Sequence, residues 1–248
     1  MHERSERTPM HERRLNILSR LVRRAGGPLE TRHLCAVAAE LTAMSGAGIM
    51  LIDGGTPRGS LSTSDSVSAL LEDLQFALGE GPCIDACNEG RPVIEPDLAS
   101  PVTPRWPAFS IPALSAGVRA VFGFPIRVGA VQLGALNLYR DEPGTLTDEQ
   151  HADALVLADV AAEVILLLQA KAPAGELAAE LEAGASLHYV VHQASGMVAA
   201  QLGIGVEHAL VRLRAFAFAS DRSLTDVARA VVGRSLRFDP DGEPGIAR

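Results

Sequence analysis

A connector of small and acidic residues divides the chain. In residues 171–185, Pro173 and Gly175 interrupt the helical pattern that precedes them, and few large apolar side chains follow. The apolar patterns on the two sides of this connector differ. Residues 29–170 alternate between strand-like and helix-like segments, whereas residues 186–238 keep a helical period. The sequence therefore predicts two domains of different class rather than one core.

Strand-like and helix-like segments alternate in the longer part. Short apolar runs bounded by turn residues indicate strands at residues 47–53, 61–64, 92–94, 120–128 and 131–139. Apolar residues at a helical spacing indicate helices at residues 34–41, 67–78 and 148–168. The tight connection at Gly129-Ala130 predicts a hairpin. An antiparallel sheet with flanking helices, which is an α+β domain, is therefore expected.

Two further segments of this part have patterns of their own. Residues 99–115 are rich in proline and serine, which predicts a long loop. In residues 1–28, leucines recur at a helical spacing among arginines until Gly26 ends the pattern, so an amphipathic helix is predicted. The apolar stripe of this helix would pack either on the next domain or on a second subunit.

The second part, residues 186–238, is predicted to form three short helices. Gly203 and Gly205 interrupt its helical period, and Ser223 has the residue type that often caps a helix start. Fewer than sixty residues bury little core by themselves, so such an all-α module gains from docking or dimerising. Residues 239–248 are expected to form a disordered tail.

Charge is distributed unevenly along the chain. Residues 30–170 hold 7 arginines against 18 acidic residues, whereas residues 186–238 hold 6 arginines against 3 acidic residues. Residues 1–28 hold 7 arginines against 3 glutamates. Basic segments are candidates for a polyanionic partner, although arginines on solvated helix faces produce the same counts.

A stretch in the middle of the first domain resembles GAF domains of actinobacterial regulators. It runs from Leu78 to Ala86 as Leu-Gly-Glu-Gly-Pro-Cys-Ile-Asp-Ala, and is followed by Arg91-Pro92-Val93 and Pro96-Asp97-Leu98. Together with the order of elements, the resemblance covers about residues 29–170. It implies a PAS-like sensory fold that binds small molecules in a cavity between its sheet and a long variable loop, usually without catalytic activity.

Three elements of the second part are similar to the ANTAR domain. Gln193-Ala194-Ser195-Gly196, Ala209 to Arg214, and Leu224 to Ala228 match its Gln-Ala-x-Gly, Ala-x-x-x-Leu-Arg and Leu-x-x-Val-Ala patterns. The resemblance implies a module that binds paired RNA stem-loops, usually as a dimer, and prevents a transcription terminator from forming. Many ANTAR domains have lysine at the position of Ser195, so a basic contact to RNA phosphate is expected to be missing or replaced.

The first helix of this module holds four candidate RNA-binding residues. RNA loops are recognised through unstacked bases and phosphates. Gln193 and Met197 share a helix face, with Gly196 between them and His192 beside it. Gln193 can offer donors and an acceptor to a base edge. Gly196 would let the RNA backbone approach closely, or would instead allow close packing between helices.

The second helix holds two candidate residues for phosphate contacts. Arg212 and Arg214 lie about 200° apart around a helix, so they cannot both point toward the same ligand. Arg214 follows the family pattern and is preferred. His188 and His192 have the i, i+4 spacing of a metal-binding pair, but no third ligand is evident, so no metal site is predicted.

Four residues of the first domain are candidates for sensing. Cys83 follows Gly81-Pro82, and a helix start there would favour its thiolate and permit redox sensing; the alternative is a buried thiol that only packs. Trp106, Phe109 and Phe122 would line a ligand pocket or belong to the core. No cofactor is required by the sequence, and no catalytic motif is present, so an enzyme is not expected.

The combined prediction is a homodimer in which a GAF sensor controls the binding of RNA stem-loops in nascent transcripts. A cytoplasmic location is expected, because neither a secretory signal nor an apolar run long enough to span a bilayer occurs. The alternative is a sensory protein whose helical C-terminal domain mediates only dimerisation or docking to a protein partner.

Overall fold

The chain divides into two compact units. A computed structural model describes residues 9–26, 30–53, 56–100, 105–171, 189–220, 222–239 and 245–246. The units are Met1–Gly184 and Ala185–Arg248, and we call them the N-terminal unit and the C-terminal unit. The predicted linker, residues 171–185, lies outside the described residues except for Lys171.

The N-terminal unit combines six helices with five strands in its described part. Its elements are α1 (Met10–Ala25), α2 (Thr31–Thr42), β1 (Gly46–Asp53), β2 (Thr56–Thr63), α3 (Ser66–Leu78), α4 (Pro82–Glu89), β3 (Val93–Glu95), α5 (Pro107–Ser115), β4 (Ala120–Val128), β5 (Val131–Arg140) and α6 (Asp148–Ala170).

The five strands form one antiparallel sheet in the order β2-β1-β5-β4-β3. The predicted hairpin joins β4 to β5, and Gly129 has the positive φ, 59°, that its tight turn requires. This arrangement confirms the predicted α+β class. β2 starts well before the predicted residues 61–64, because register shifts in its pairing with β1 accommodate Pro57 and Gly59, which interrupt the apolar alternation.

Side chains alternate between the two faces of the sheet, so each face has its own core. On one face, Phe122, Phe124 and Leu138 pack with α1, α2 and α6 in the larger core. On the other face, Val121 and Tyr139 pack with α3, α4 and α5. We call this second side the α3–α5 face.

Two short helices lie where the sequence predicts none. α5 occupies the second half of the predicted loop, residues 99–115, and begins with Pro107. The N–H groups of Ala108 and Phe109 at its start donate to a carboxylate oxygen of Glu80, at 2.7 and 2.8 Å. α4 likewise begins with a proline. Both helices are too short for their apolar spacing to predict a helix. The start of α5 also depends on a cap from Glu80, which is distant in the sequence.

α1 packs on the larger core of the N-terminal unit. Ile17 and Leu21 are each 1% exposed. Arg13 is also buried, and it forms ion pairs with Glu149 and, at 2.6 Å, with Asp153 on α6. The predicted amphipathic helix is therefore present, and the next domain is one of its partners.

In its described residues, the C-terminal unit has three helices followed by two short strands. Its described elements are α7 (Tyr189–Leu202), α8 (Val206–Ala219), α9 (Leu224–Val232), β6 (Leu236–Arg237) and β7 (Gly245–Ile246). The helices enclose buried aliphatic residues, namely Val191, Ala194, Val198, Ala209, Leu210, Leu213, Val227 and Val231. Ser223 caps α9 as predicted, since its Oγ accepts a hydrogen bond from the N–H of Asp226 at 3.0 Å.

The predicted disordered tail, residues 239–248, lies outside the described residues except for Asp239 and β7. Leu236 and Ile246 are paired residues of the antiparallel strands β6 and β7. The neighbouring Phe238 is buried, and its ring lies 5.6 Å from that of Phe216 between centroids. The N–H of Phe238 donates to Gln201 Oε1 at 3.0 Å. These contacts hold the residues that follow α9 against the rest of the C-terminal unit.

Candidate functional site

One face of α7 is exposed along its length. Tyr189, Gln193, Gly196 and Ala200 follow one another at helical spacing, and all four are exposed. The opposite face of α7 is buried in the core of the C-terminal unit. We call these four exposed residues the α7 stripe.

The structure brings two of the predicted residues into this stripe. Gln193 and Gly196 lie in it, whereas His192 and Met197 are half-buried at its edges. A Cβ added to Gly196 would meet no atom of the described residues within 4 Å. Close packing between the described helices therefore does not explain this glycine, and among these residues the surface above it is open to a ligand. His188 lies outside the described residues.

Ser195 does not belong to the α7 stripe. It is 1% exposed, and its hydroxyl donates to the carbonyl oxygen of Val191 at 2.8 Å. The exchange of lysine for serine at this position therefore removes no side chain from the exposed stripe. The sequence predicted that serine at this position leaves a phosphate contact missing. Because Ser195 is buried, this prediction does not apply to the exposed α7 stripe.

The two arginines of α8 differ in exposure. Arg212 is exposed, whereas Arg214 is half-buried. Burial lowers the pKa of Arg214 to about 10, which still leaves it charged at neutral pH. Arg212, the less favoured of the two in the sequence analysis, is thus the more accessible cation.

Cys83 is the second residue of α4, so the helix start on which its predicted reactivity depends is present. Its thiol is fully buried, however, and burial raises the pKa of Cys83 well above its ordinary value. The backbone N–H of Cys83 donates to Gln75 Oε1 at 2.7 Å. Of the two alternatives that the sequence left open for Cys83, the environment therefore favours the buried thiol over a reactive thiolate.

The predicted aromatic pocket is divided between the two faces of the sheet. Trp106 and Phe109 lie together on the α3–α5 face, with ring centroids 5.9 Å apart in an edge-to-face arrangement. Phe122 lies in the larger core on the other face. Because neighbouring residues of a strand point to opposite faces, Val121 rather than Phe122 accompanies Trp106.

Charged side chains hold the segment that covers the α3–α5 face. Arg105 forms ion pairs with Glu89 and, at 2.7 Å, with Asp85, and its guanidinium lies 5.2 Å from the centre of the Trp106 ring. The indole N–H of Trp106 donates to Asp85 at 3.0 Å. Together with the cap that Glu80 provides for α5, these contacts fix the indole over the core of this face.

Glu72, Gln75 and Asn137 are among the buried polar side chains of the N-terminal unit. Each of the three is at most 1% exposed, and we call them the buried polar cluster. Both carboxylate oxygens of Glu72, the Nε2 of Gln75 and both amide atoms of Asn137 have no hydrogen-bond partner of normal length and angle among the described residues. Burial raises the pKa of Glu72 to about 8, although the amide of Asn137, which lies close enough to interact with the carboxylate, opposes this shift. Buried polar atoms without partners are uncommon, so the cluster is a candidate binding centre.

Two glycines make room for the buried polar cluster. Asn137 on β5 pairs with Gly48 on β1 and with Gly123 on β4. A Cβ at Gly48 would lie 2.6 Å from Glu72 Oε1, and one at Gly123 would lie 2.2 Å from the carbonyl oxygen of Pro82. Glu72 and the start of α4 can therefore approach the strands on either side of Asn137.

The buried polar cluster was not predicted, because the leucines of α3 do not by themselves define its buried face. Leu70 is 39% exposed, whereas Glu72 and Gln75 are buried. Asn137 could have indicated the cluster from the sequence, because it is an amide within an apolar strand and asparagine is depleted in strands.

Neither a single membrane-spanning helix nor a cluster of metal ligands occurs in the described part of the chain. No single helix there is long and apolar enough to cross a membrane; α7 and α8 meet that condition only as a pair, which bends by 104°. Within the same residues, no group of three or more His, Cys, Asp or Glu side chains is arranged to hold a metal ion.

Comparison with known families gives two matches. Residues 31–165, more than half of the chain, match the GAF domain, and residues 179–232 match the ANTAR domain. A comparison with curated proteins gives no match.

Several solved structures are similar to part of the chain. The GAF domain of a phosphoenolpyruvate-protein phosphotransferase from Coxiella burnetii is 18% identical, with a TM-score of 0.48 over 64% of this chain and 96% of that chain. A corresponding domain from Acinetobacter is 14% identical, with a TM-score of 0.48 over 63% and 95%. A type II free methionine-R-sulfoxide reductase from Thermoplasma acidophilum is 15% identical, with a TM-score of 0.40 over 62% and 93%.

Proposed function

We propose that this chain, which belongs to the GAF family, is a regulator whose C-terminal unit binds stem-loops in nascent RNA and prevents transcription termination. The observation that carries this proposal is the match of residues 179–232 to the ANTAR domain. Both matched families are regulatory domains, and the proposal includes no enzymatic activity. A nascent transcript as the partner implies a cytoplasmic site of action.

The exposed residues of the C-terminal unit support an RNA partner. Gln193 can pair with a base edge, and Gly196 leaves space for close approach of the RNA backbone. Arg212 is exposed, and Arg214 stays charged although it is half-buried. Neutralisation of phosphates by such arginines is the main source of affinity in complexes with nucleic acids.

Exposed apolar side chains support self-association. Paired stem-loops call for two copies of the RNA-binding module, one for each loop. Val211 and Phe218 lie two turns apart on α8 and are 58% and 71% exposed. Leu15 and Val22 have the same spacing on α1 and are also exposed. Because large apolar side chains in a row are typical of protein interfaces, we propose a homodimer.

We propose that the N-terminal unit senses a small molecule on its α3–α5 face. The unpartnered atoms of Glu72, Gln75 and Asn137 support this proposal, because a polar ligand would satisfy them. Trp106 covers this face, so ligand entry requires that its contact with Asp85 opens. A ligand that binds only one conformation would shift the population of the state that binds RNA.

The RNA proposal is tested by the affinity for a tandem stem-loop RNA at several salt concentrations. We expect Gln193→Ala and Arg212→Ala to weaken binding, and Arg212→Ala should also reduce the dependence of affinity on salt. Because Arg212 and Arg214 point to different sides of α8, an effect of Arg214→Ala in place of Arg212→Ala would assign the phosphate contact to Arg214. Arg127→Ala is the matched control, because it removes an exposed arginine from the N-terminal unit. Absence of binding by the unaltered protein at low salt would refute the proposal, and terminator read-through in purified transcription reactions measures its consequence.

The apolar row on α8 favours a second candidate function, in which the C-terminal unit mediates only dimerisation or docking to a protein. Exchange of Phe218 for aspartate should then abolish the dimer in sedimentation experiments. The second function would be preferred if the unaltered protein forms this dimer but binds no RNA at low salt.

A further inference from the structure

The chain exposes two aromatic rings, and both are in the C-terminal unit. Of ten aromatic residues, Tyr189 is 67% exposed and Phe218 is 71% exposed, whereas the other eight are buried or half-buried. Aromatic side chains contribute most to stability when they are buried, so an exposed ring calls for a role outside the core.

The surroundings of the two rings differ. Phe218 lies on the α8 face that also exposes Val211, which is an apolar setting suited to another protein surface. Tyr189 lies one helical turn from Gln193, and Gly196 follows a further three residues along the same exposed stripe. Tyr189 is therefore followed along the stripe by the hydrogen-bonding amide of Gln193 and by the exposed backbone at Gly196.

The side chains of α7 do not repel a polyanion. The helix contains no acidic residue, and Arg212 on α8 adds an exposed positive charge to the same unit. The central position of the stripe is polar, because Gln193 occupies it, and its amide can pair with a base edge. These features favour nucleic acid over a second protein surface.

We propose that Tyr189 is a stacking platform for one unpaired base of the RNA loop, and that Gln193 binds the edge of that base. Bases that leave the stack of an RNA loop are recognised by aromatic stacking combined with hydrogen bonds to their edges. The i, i+4 spacing sets the amide beside the ring, and Gly196 leaves room for the sugar and phosphate that follow the base. This inference rests on the proposed RNA-binding function and adds a residue that selects an unpaired base.

Substitutions at position 189 test the stacking role directly. We expect Tyr189→Leu, which keeps an apolar side chain but loses the ring, to weaken binding to a tandem stem-loop RNA by about 5-fold to 100-fold. Tyr189→Phe keeps the ring and should stay within about 3-fold of the unaltered protein. Val131→Ala, which shortens an exposed apolar side chain of the N-terminal unit, is the control and should bind RNA equally well. The salt dependence should be unchanged by Tyr189→Leu, because stacking involves no phosphate.

An abasic scan of the RNA loop identifies the stacked base. One abasic position should weaken binding to the unaltered protein and have little further effect on Tyr189→Leu. Circular dichroism checks that each variant keeps its helices. Equal affinities of Tyr189→Leu and the unaltered protein would overturn the inference, while leaving RNA binding itself intact. A loss of affinity that accompanies loss of the dimer in sedimentation would also overturn it, since the stripe would then contact a second copy. No RNA binding by the unaltered protein would instead refute the proposed function.

Discussion

Exchange of Glu72 for glutamine should stabilise the N-terminal unit at neutral pH. Glu72 is fully buried, and neither oxygen of its carboxylate has a hydrogen-bond partner of normal length and angle among the described residues. Burial raises its pKa from the ordinary value of 4.5 to about 8. Glutamine has nearly the same shape and carries no charge, so Glu72→Gln keeps the packing and removes the cost of ionisation.

The size of the effect follows from the difference in pKa between the folded and unfolded states. Between these two pKa values the folded protein binds more protons than the unfolded chain, so the free energy of unfolding falls as pH rises. Each unit of pKa difference corresponds to about 1.4 kcal/mol. Relative to the unaltered protein, Glu72→Gln should therefore gain almost nothing at pH 4, about 3 kcal/mol at pH 7 and about 5 kcal/mol above pH 9.

Urea unfolding followed by tryptophan fluorescence measures this difference. Trp106 is the single tryptophan of the chain and is 2% exposed, so its emission reports on the N-terminal unit alone. Glu142→Gln is the control, because Glu142 is exposed and its exchange should leave the profile unchanged. If the unaltered protein and Glu72→Gln differ by the same amount at every pH from 5 to 9, Glu72 is not a buried acid of raised pKa.

Three other predictions concern the packing of the N-terminal unit. Gly123→Ala would bring a Cβ within 2.2 Å of the Pro82 carbonyl, so it should cost about 1–3 kcal/mol of unfolding free energy in the same urea assay; an unchanged midpoint would contradict the contact. Arg13→Ala leaves the carboxylate of Asp153 without its partner, and thermal unfolding at low salt should show a loss of about 1–3 kcal/mol that shrinks as salt is added. All three cysteines are buried, so a thiol reagent should react with them only upon unfolding; rapid native labelling that Cys83→Ser abolishes would instead support redox sensing.

Much of the fold could be predicted because its patterns are local. The β4–β5 hairpin, the long α6 helix and the cap at Ser223 depend on neighbouring residues, and each occurs where the sequence indicated it. The helix α5 could not be predicted in this way, because its start is capped by Glu80 across the fold. The burial of Phe238 likewise depends on a distant partner, Phe216.

The candidate sites were predictable only where they follow helical periodicity. Gln193 and Gly196 lie on an exposed face because the apolar residues of α7 define the opposite one. The sequence left open whether Phe122 lines a pocket or belongs to the core, because a strand's register decides which of two neighbouring residues points to which face, and the structure places it in the larger core. The burial of Glu72 was missed for a related reason: the rotation of a helix is set by what it packs against, and Gly48 lies beneath it.

The division of the central sheet into two cores has a consequence for how such a sensor can change over generations. Val121 and Phe122 are adjacent in β4, yet one borders the α3–α5 face and the other packs among the helices of the larger core. Replacements at one set of alternate positions can therefore alter the α3–α5 face, for which we propose ligand sensing, while the other set keeps the supporting helices unchanged. One strand thus serves two cores that can be altered independently of each other.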